Sequence, residues 1–243
     1  MIDLSLIWIL IIGLGVLIYV VLDGFDLGIG ILFPFISDRQ ERDVMMNTVA
    51  PVWDGNETWM VLGGAGLFAA FPLVYSTVLS ALYMPIILMV IALIFRGVAF
   101  EFRFKANKTK HLWDQAFIWG SILSSFFQGL ILGAYIQGIE TTNGIYTGGG
   151  LDWLTPFSLF TGLSVVVLYA TLGCGWLIFK TEKMLQNRMF ELMPKLLISL
   201  LMIFACVSIY TPLAHPQIAE RWFSQPQLFY FSPVPVLVLL FTF

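Results

Sequence analysis

Four acidic residues stand where a chain can least tolerate charge. The stretch Leu22-Asp23-Gly24-Phe25-Asp26-Leu27-Gly28-Ile29-Gly30 lies inside an apolar run from Leu4 to Ile36 that contains no other charged residue. Asp23 and Asp26 are three positions apart, which on a helix puts them on one face, roughly 5–6 Å from each other. A carboxylate in the hydrocarbon layer costs about 2.5–3.5 kcal/mol on insertion scales. The pair must therefore face a protein interior, a water-filled path or a partner subunit. Pro51-Val52-Trp53-Asp54-Gly55-Asn56-Glu57-Thr58-Trp59 repeats the spacing with Asp54 and Glu57. Carboxyls at membrane depth can hand protons along, because burial favours their neutral form and brings it into a usable range. The alternative is structural: each carboxylate bonds a backbone amide, a Trp N–H or an Arg of the third helix and holds the helices together.

The elements that position these acids follow from composition. Of 243 residues, 59% are hydrophobic and 11% charged, with a mean hydropathy of +0.89. Soluble domains carry about a quarter charged residues, so this chain reads as an all-α, polytopic transmembrane helix bundle, a single integral membrane domain over 1–243. Apolar runs of twenty or more residues suit helices. The alternating ten-residue segments of a membrane β-barrel do not occur. Helices are expected over about 4–35, 44–70, 75–95, 113–137, 156–179 and 195–210: six complete, with the start of a seventh over 234–243. That last run is too short to span a bilayer, and the expectation is a C-terminally truncated chain. The N-terminus lacks the basic region of a cleaved signal peptide.

Ser37 to Asp43 reads as a charged loop and Arg96 to His111 as a basic one. Arg39 and Arg42 lie in the first loop; Arg96, Arg103, Lys105, Lys108 and Lys110 in the third; Lys180, Lys183, Arg188 and Lys195 in the fifth. The alternate loops hold only Arg221. The positive-inside rule then puts the odd loops in the cytoplasm and the N-terminus outside. All four acids would converge in one cytoplasmic-side layer. The basic loops read as topology determinants, not nucleic-acid sites. Gly148-Gly149-Gly150 lacks the Lys-Ser/Thr that follows a phosphate-binding loop and reads as a flexible turn. Cys174 and Cys206 read as packing residues, and no metal cluster appears. A haem needs an axial His, Met, Cys or Tyr in the bundle. His111 and His215 fall outside the apolar runs, so no haem is expected on this chain's own side chains.

At three places the sequence resembles subunit II of the bacterial cytochrome bd-type quinol oxidases. They are Asp23-Gly24-Phe25-Asp26-Leu27-Gly28, Ala50-Pro51-Val52-Trp53-Asp54-Gly55-Asn56-Glu57-Thr58-Trp59 and Gly64-Ala65-Gly66-Leu67-Phe68-Ala69-Ala70-Phe71-Pro72. Weaker likeness continues through Phe95-Arg96-Gly97-Val98-Ala99-Phe100-Glu101 and Trp113-Asp114. The resemblance implies a terminal oxidase that oxidises quinol and reduces dioxygen to water in the bacterial cytoplasmic (inner) membrane. It implies haem b and haem d in the partner subunit I, with a quinone as a further candidate cofactor. Subunit II would stabilise that partner and offer a cytoplasmic-side proton path. By motif position the path falls to Asp23, Asp26 and Asp54, joined by Glu57. Gly24, Gly28, Trp53, Asn56, Arg96 and Glu101 would support the path or the packing around it. Val52 and Glu57, where some members have His and Gln, look like the cyanide-insensitive branch. Members of the family are longer, with about nine helices. An ion-coupled transporter also places acids in glycine-broken helices, but no second copy of either acidic motif follows in this chain.

Overall fold

A computed structural model describes residues 3–242. The helices are α1 (Leu4–Leu32), α2 (Arg39–Asn47), α3 (Trp53–Ala70), α4 (Pro72–Arg103), α5 (Lys110–Gln137), α6 (Pro156–Lys180), α7 (Lys183–Ala214), α8 (Pro216–Phe223), α9 (Gln227–Phe231) and α10 (Pro233–Thr242). A 3-10 turn, Phe33–Phe35, follows α1. By length and composition α1 with this turn, α4, α5, α6 and α7 suffice to cross a membrane. α3 is not among them, because Asp54, Asn56 and Glu57 crowd its first turns. The architecture is all-α and polytopic. Two compact units divide the chain, the first ending at Met193 and the second beginning at Pro194. The acids belong to the first.

Several boundaries differ from the sequence-based expectation, each for a local reason. The helix expected over 44–70 is two helices, α2 and α3, with a turn over 48–52. Pro51 supplies no N–H and restricts Ala50 before it, so the chain leaves the helix and restarts at Trp53. The charged loop at 37–43 is largely helix, because the Asp38 carboxylate caps α2 by accepting from the amides of Gln40 (2.7 Å) and Glu41 (3.1 Å). α4 runs eight residues beyond the expected end at residue 95, which takes Arg96 and Arg103 out of the basic loop and into a helix. α7 begins at Lys183, inside the expected fifth loop. The loop between α5 and α6 contains a small hairpin, Thr141–Thr142 with Ile145–Tyr146. Its turn is Asn143-Gly144, both at positive φ (53° and 79°), as a two-residue hairpin of right-handed twist requires.

Packing in the first unit depends on close backbone approach. α4 kinks at Leu82 (φ −119°, ψ 17°), three residues before Pro85, whose ring displaces the preceding turn. α1 crosses α6 at Gly28 and Gly173, where a Cβ on Gly28 would lie 1.9 Å from the Tyr169 carbonyl oxygen and 2.8 Å from the Gly173 nitrogen. Both helices can meet there only without side chains. α5 approaches α4 the same way: a Cβ on Gly120 would lie 2.8 Å from the Arg96 nitrogen.

Gly28→Ala should therefore lower the thermal stability of the detergent-solubilised protein by about 1–3 kcal/mol or more, the cost of overpacking against backbone. Gly13→Ala, where no atom of the described residues lies within 4 Å of the added carbon, should be neutral or slightly stabilising. Equal melting of the two variants would sink the close-approach account.

Candidate functional site

The apolar sequence of α1 leaves Asp23 and Asp26 no solvent, and the fold gives each a different partner. Both are fully buried, as is Arg96 of α4. Arg96 Nη2 donates to Asp23 Oδ1 and approaches Glu57 Oε2 of α3 at 3.5 Å. Asp26 Oδ2 instead accepts from the Asn56 side-chain amide at 2.9 Å. One carboxylate from α1 and one from α3 thus meet the guanidinium, while Asp26 is bonded to a neutral group. Asp23 Oδ2, Asp26 Oδ1 and the Nε and Nη1 of Arg96 have no hydrogen-bond partner among the described residues. Buried polar atoms of this kind are normally matched by ordered water or by a proton. The layer therefore holds unmatched buried donors and acceptors.

The expected convergence of four carboxylates is corrected to three. Asp54 is exposed. It lies with Glu57, Thr58 and Glu101 along a cleft of about 480 Å³ between α3 and α4, otherwise walled largely by apolar side chains. Asp54 and Glu57 are three positions apart, but α3 turns only the second toward Arg96. The other candidates take supporting places. Trp53 stacks on Phe100 (5.0 Å, 7°) and lies 5.6 Å from the Arg96 guanidinium carbon, where a ring face attracts a cation. A Cβ on Gly24 would lie 2.9 Å from the Tyr169 ring, so Gly24 serves helix contact. Glu101 is exposed and meets Lys105 at 3.5 Å, a surface pair of small energetic weight.

A second charged layer lies one step along α4, and sequence reasoning missed it. Arg103 is fully buried. It donates through Nε to Asp114 Oδ1 and through Nη1 to Asp43 Oδ1 at 2.6 Å. Lys110 binds the other Asp43 oxygen at 2.8 Å, and Arg42 reaches Asp114 Oδ2 at 3.2 Å. Burial alone would raise the Asp43 carboxyl. The bonds from Lys110 and Arg103 outweigh it and hold Asp43 below the usual carboxylate range. Between the layers stand Phe33, Phe100 and Phe117, packed edge to face at 4.8 and 5.2 Å. The sequence did carry a signal. Arg96 and Arg103 are seven residues apart, two helical turns on one face, with Phe100 between them.

Breaking a buried ion pair from one side leaves an uncompensated charge, which costs about 3–5 kcal/mol, whereas removing both charges together is often nearly neutral. Arg96→Met should therefore strongly destabilise the purified protein, and Asp23→Asn combined with Arg96→Met should recover most of the loss. A double variant no more stable than Arg96→Met, in thermal unfolding, would count against the pairing.

Comparison with known proteins matches this arrangement to one family. The sequence profile described as "Cytochrome bd terminal oxidase subunit II" matches residues 4–243. The chain is 36% identical over 193 residues to "Cytochrome bd-I ubiquinol oxidase subunit 2" of Escherichia coli, covering 76% of this chain and 51% of that protein. It is 35% identical over 189 residues to "Probable cytochrome oxidase subunit 2" of Haemophilus influenzae (74% and 50%). It is 33% identical over 195 residues to "Cytochrome bd ubiquinol oxidase subunit 2" of Bacillus subtilis (78% and 57%). The chain spans about half the length of these curated relatives. With a profile match over nearly all of its residues, the chain belongs to the family of cytochrome bd terminal oxidase subunit II.

Proposed function

We propose that this chain acts as subunit II of a quinol:oxygen oxidoreductase, in which two quinols and one dioxygen become two quinones and two waters. The names of its relatives, ubiquinol oxidase subunits, support that reading. Nothing in the family match favours the ion-coupled transporter alternative. Haem b and haem d would reside in the partner subunit I and supply the electron transfer and oxygen chemistry. His111 is exposed at the start of α5, and His215 precedes α8 without a side-chain cap bond. A quinone within the complex is compatible with this assignment.

Reducing dioxygen to water consumes protons, and this chain's part is to bring them inward from the cytoplasmic side. The observation that carries the proposal is the inner layer: Asp23 on Arg96 and Asp26 on Asn56, each with a free buried oxygen. Asp23 is paired with a fixed cation. Asp26 meets only an amide, so it is the carboxyl best suited to gain and lose a proton. Glu57, partly exposed and 3.5 Å from Arg96, links the layer to the cleft that holds Asp54. In the membrane this face, with Asp54 and Glu101 at its rim, would contact protein or water, since lipid tolerates carboxylates poorly. Subunit I is the proposed occupant, and this chain would stabilise it.

Asp26→Asn keeps size and most hydrogen bonding but removes the titrating proton. In an assembled oxidase with its full haem content, it should slow proton uptake and oxygen consumption about tenfold or more, within the range of proton-transfer catalysis. Asp54→Asn should have a smaller effect, because Asp54 lies outside the buried layer. Full turnover and uptake in Asp26→Asn would remove the layer from any proton path and leave it a packing role.

Orientation is proposed with the N-terminus outside the cytoplasm and with α3 crossing back between α1 and α4. With Arg96 and Arg103 reassigned to the protein interior, Arg39, Arg42, Lys105, Lys108, Lys110, Lys180, Lys183, Arg188 and Lys195 still stand against Arg221 alone. Single cysteines at the exposed positions Ser37, Thr109 and Asn187 should react with an impermeant thiol reagent only from the cytoplasmic side. One at exposed Thr147 should react only from the opposite side. Reaction of Thr109 and Thr147 from one face would refute the arrangement.

A further inference from the structure

Asp26 takes its one hydrogen bond among the described residues from the Asn56 amide, at 2.9 Å. That bond joins α1 to the first turn of α3, so it forms only if both helices are held in place. Val52 offers α3 no side-chain cap bond. The placing of the first turn therefore depends on the residues before it. Thr48 opens the turn between α2 and α3, and from there backbone bonds lead into the helix. Trp53 N donates to Val49 O and Asn56 N to Val52 O, both at 3.0 Å, and Val49 is fully buried.

One side chain of α6 reaches both helices. The Trp176 ring stacks on Phe25, the residue just before Asp26 in α1, at 4.1 Å and 8° from parallel. Its indole N–H donates to Thr48 Oγ1 at 3.2 Å. The Thr48 hydroxyl spends its own proton on the Met45 carbonyl at 2.7 Å, which leaves its oxygen free to accept from an indole that can only donate. Lys180, one turn further along α6, holds its ammonium 5.0 Å from the Trp176 ring centroid and steadies the ring from its own helix. The ring of Trp176 thus fixes the acid-bearing turn of α1, and its N–H fixes the turn that leads to Asn56.

We propose that Trp176, with Thr48 as its acceptor, is a positioning residue for proton transfer: it holds the first turn of α3 where the Asn56 amide meets Asp26. This rests on the proton-path reading of the layer. With Asn56 in place, one oxygen of Asp26 is bonded and the other is buried and open to a proton or a water. Without the indole bond the turn can shift along α6, and the amide moves with it. Trp176 touches neither the acid nor the amide and acts through the two helices that carry them.

The test uses the assembled oxidase in vesicles, with haem content, quinol KM and proton uptake measured in H2O and in D2O. Trp176→Phe keeps a ring against Phe25 and removes the N–H; Thr48→Val replaces one oxygen by a methyl group. Small misplacements of a reacting group are costly in rate, so each variant should slow uptake about threefold or more at full haem content and unchanged quinol KM. The further slowing in D2O should grow as proton delivery comes to limit turnover, an effect that loosened packing alone would not produce. Thr48→Ser, which keeps the hydroxyl, should retain the parent rate. The combined variant should be no slower than the slower single one, because both remove the same bond. In an Asn56→Leu background Thr48→Val should add nothing. Unchanged uptake and isotope effect in an intact Thr48→Val complex overturn the inference, and so does further slowing in the Asn56→Leu background. Should Trp176→Phe assemble poorly, Thr48→Val decides alone. Asp26→Asn separates the two levels. If it fails to slow uptake, the proton path itself fails; if it slows uptake while Thr48→Val does not, only the positioning role fails.

Discussion

The contact between Arg96 and Asp23 is the constraint that the rest of the first unit serves. An arginine cannot be neutralised in a protein, and moving it from water to the interior carries a penalty of several kcal/mol even after relaxation. Arg96 is wholly buried, so carboxylates must be brought to it from other helices. Asp23 does this from α1 and Glu57 from α3. The contact accordingly sets the register of three helices against one another. Gly120 has a part in it, since only a residue without a side chain lets the α5 backbone lie so close to the Arg96 nitrogen.

A buried ion pair is weak evidence for stability in itself, because an apolar replacement often packs as well. Its value here lies in what surrounds it. The layer keeps one acid bound to a cation and another bound only to an amide, a few ångströms apart. Two chemically identical side chains, Asp23 and Asp26, thus have different bonding partners. The second layer, around Arg103, Asp43 and Asp114, repeats the pairing next to the charged end of the helices, with fuller satisfaction of its oxygens. The Phe33, Phe100 and Phe117 rings keep the two sets of charges from merging.

Small residues and aromatic rings divide the remaining work. Gly28 and Gly173 let α1 and α6 touch backbone to backbone, and beside that crossing Phe25 stacks on Trp176 at 4.1 Å. Trp176 also donates to Thr48 at 3.2 Å, in the turn between α2 and α3. The turn that interrupts the second apolar segment is therefore tied to α6, and it sets where α3 restarts and hence which of its acids faces Arg96.

The sequence by itself determined the class of fold, the family and the oddity of its acids. Hydropathy fixes membrane helices because the bilayer gives backbone groups no other partner, and the Asp-Gly-Phe-Asp and Trp-Asp-Gly-Asn motifs identify the family residue by residue. A burial cost argued from α1 alone also required Asp23 and Asp26 to face inward, and they do. What the sequence could not decide was partnership. Asp54 and Glu57 look equivalent at three-residue spacing, yet the rotation of α3 exposes one and turns the other to Arg96. Arg96 and Arg103 read as loop cations, because local composition does not reveal that carboxylates 73 and 11 positions away in sequence would make a buried guanidinium tolerable. Phe25, Thr48 and Trp176 carry no local signal of their contact, since each comes from a different element. Helix periodicity is a property of neighbours in sequence, whereas the match of charge to charge and donor to acceptor arises only when the helices pack.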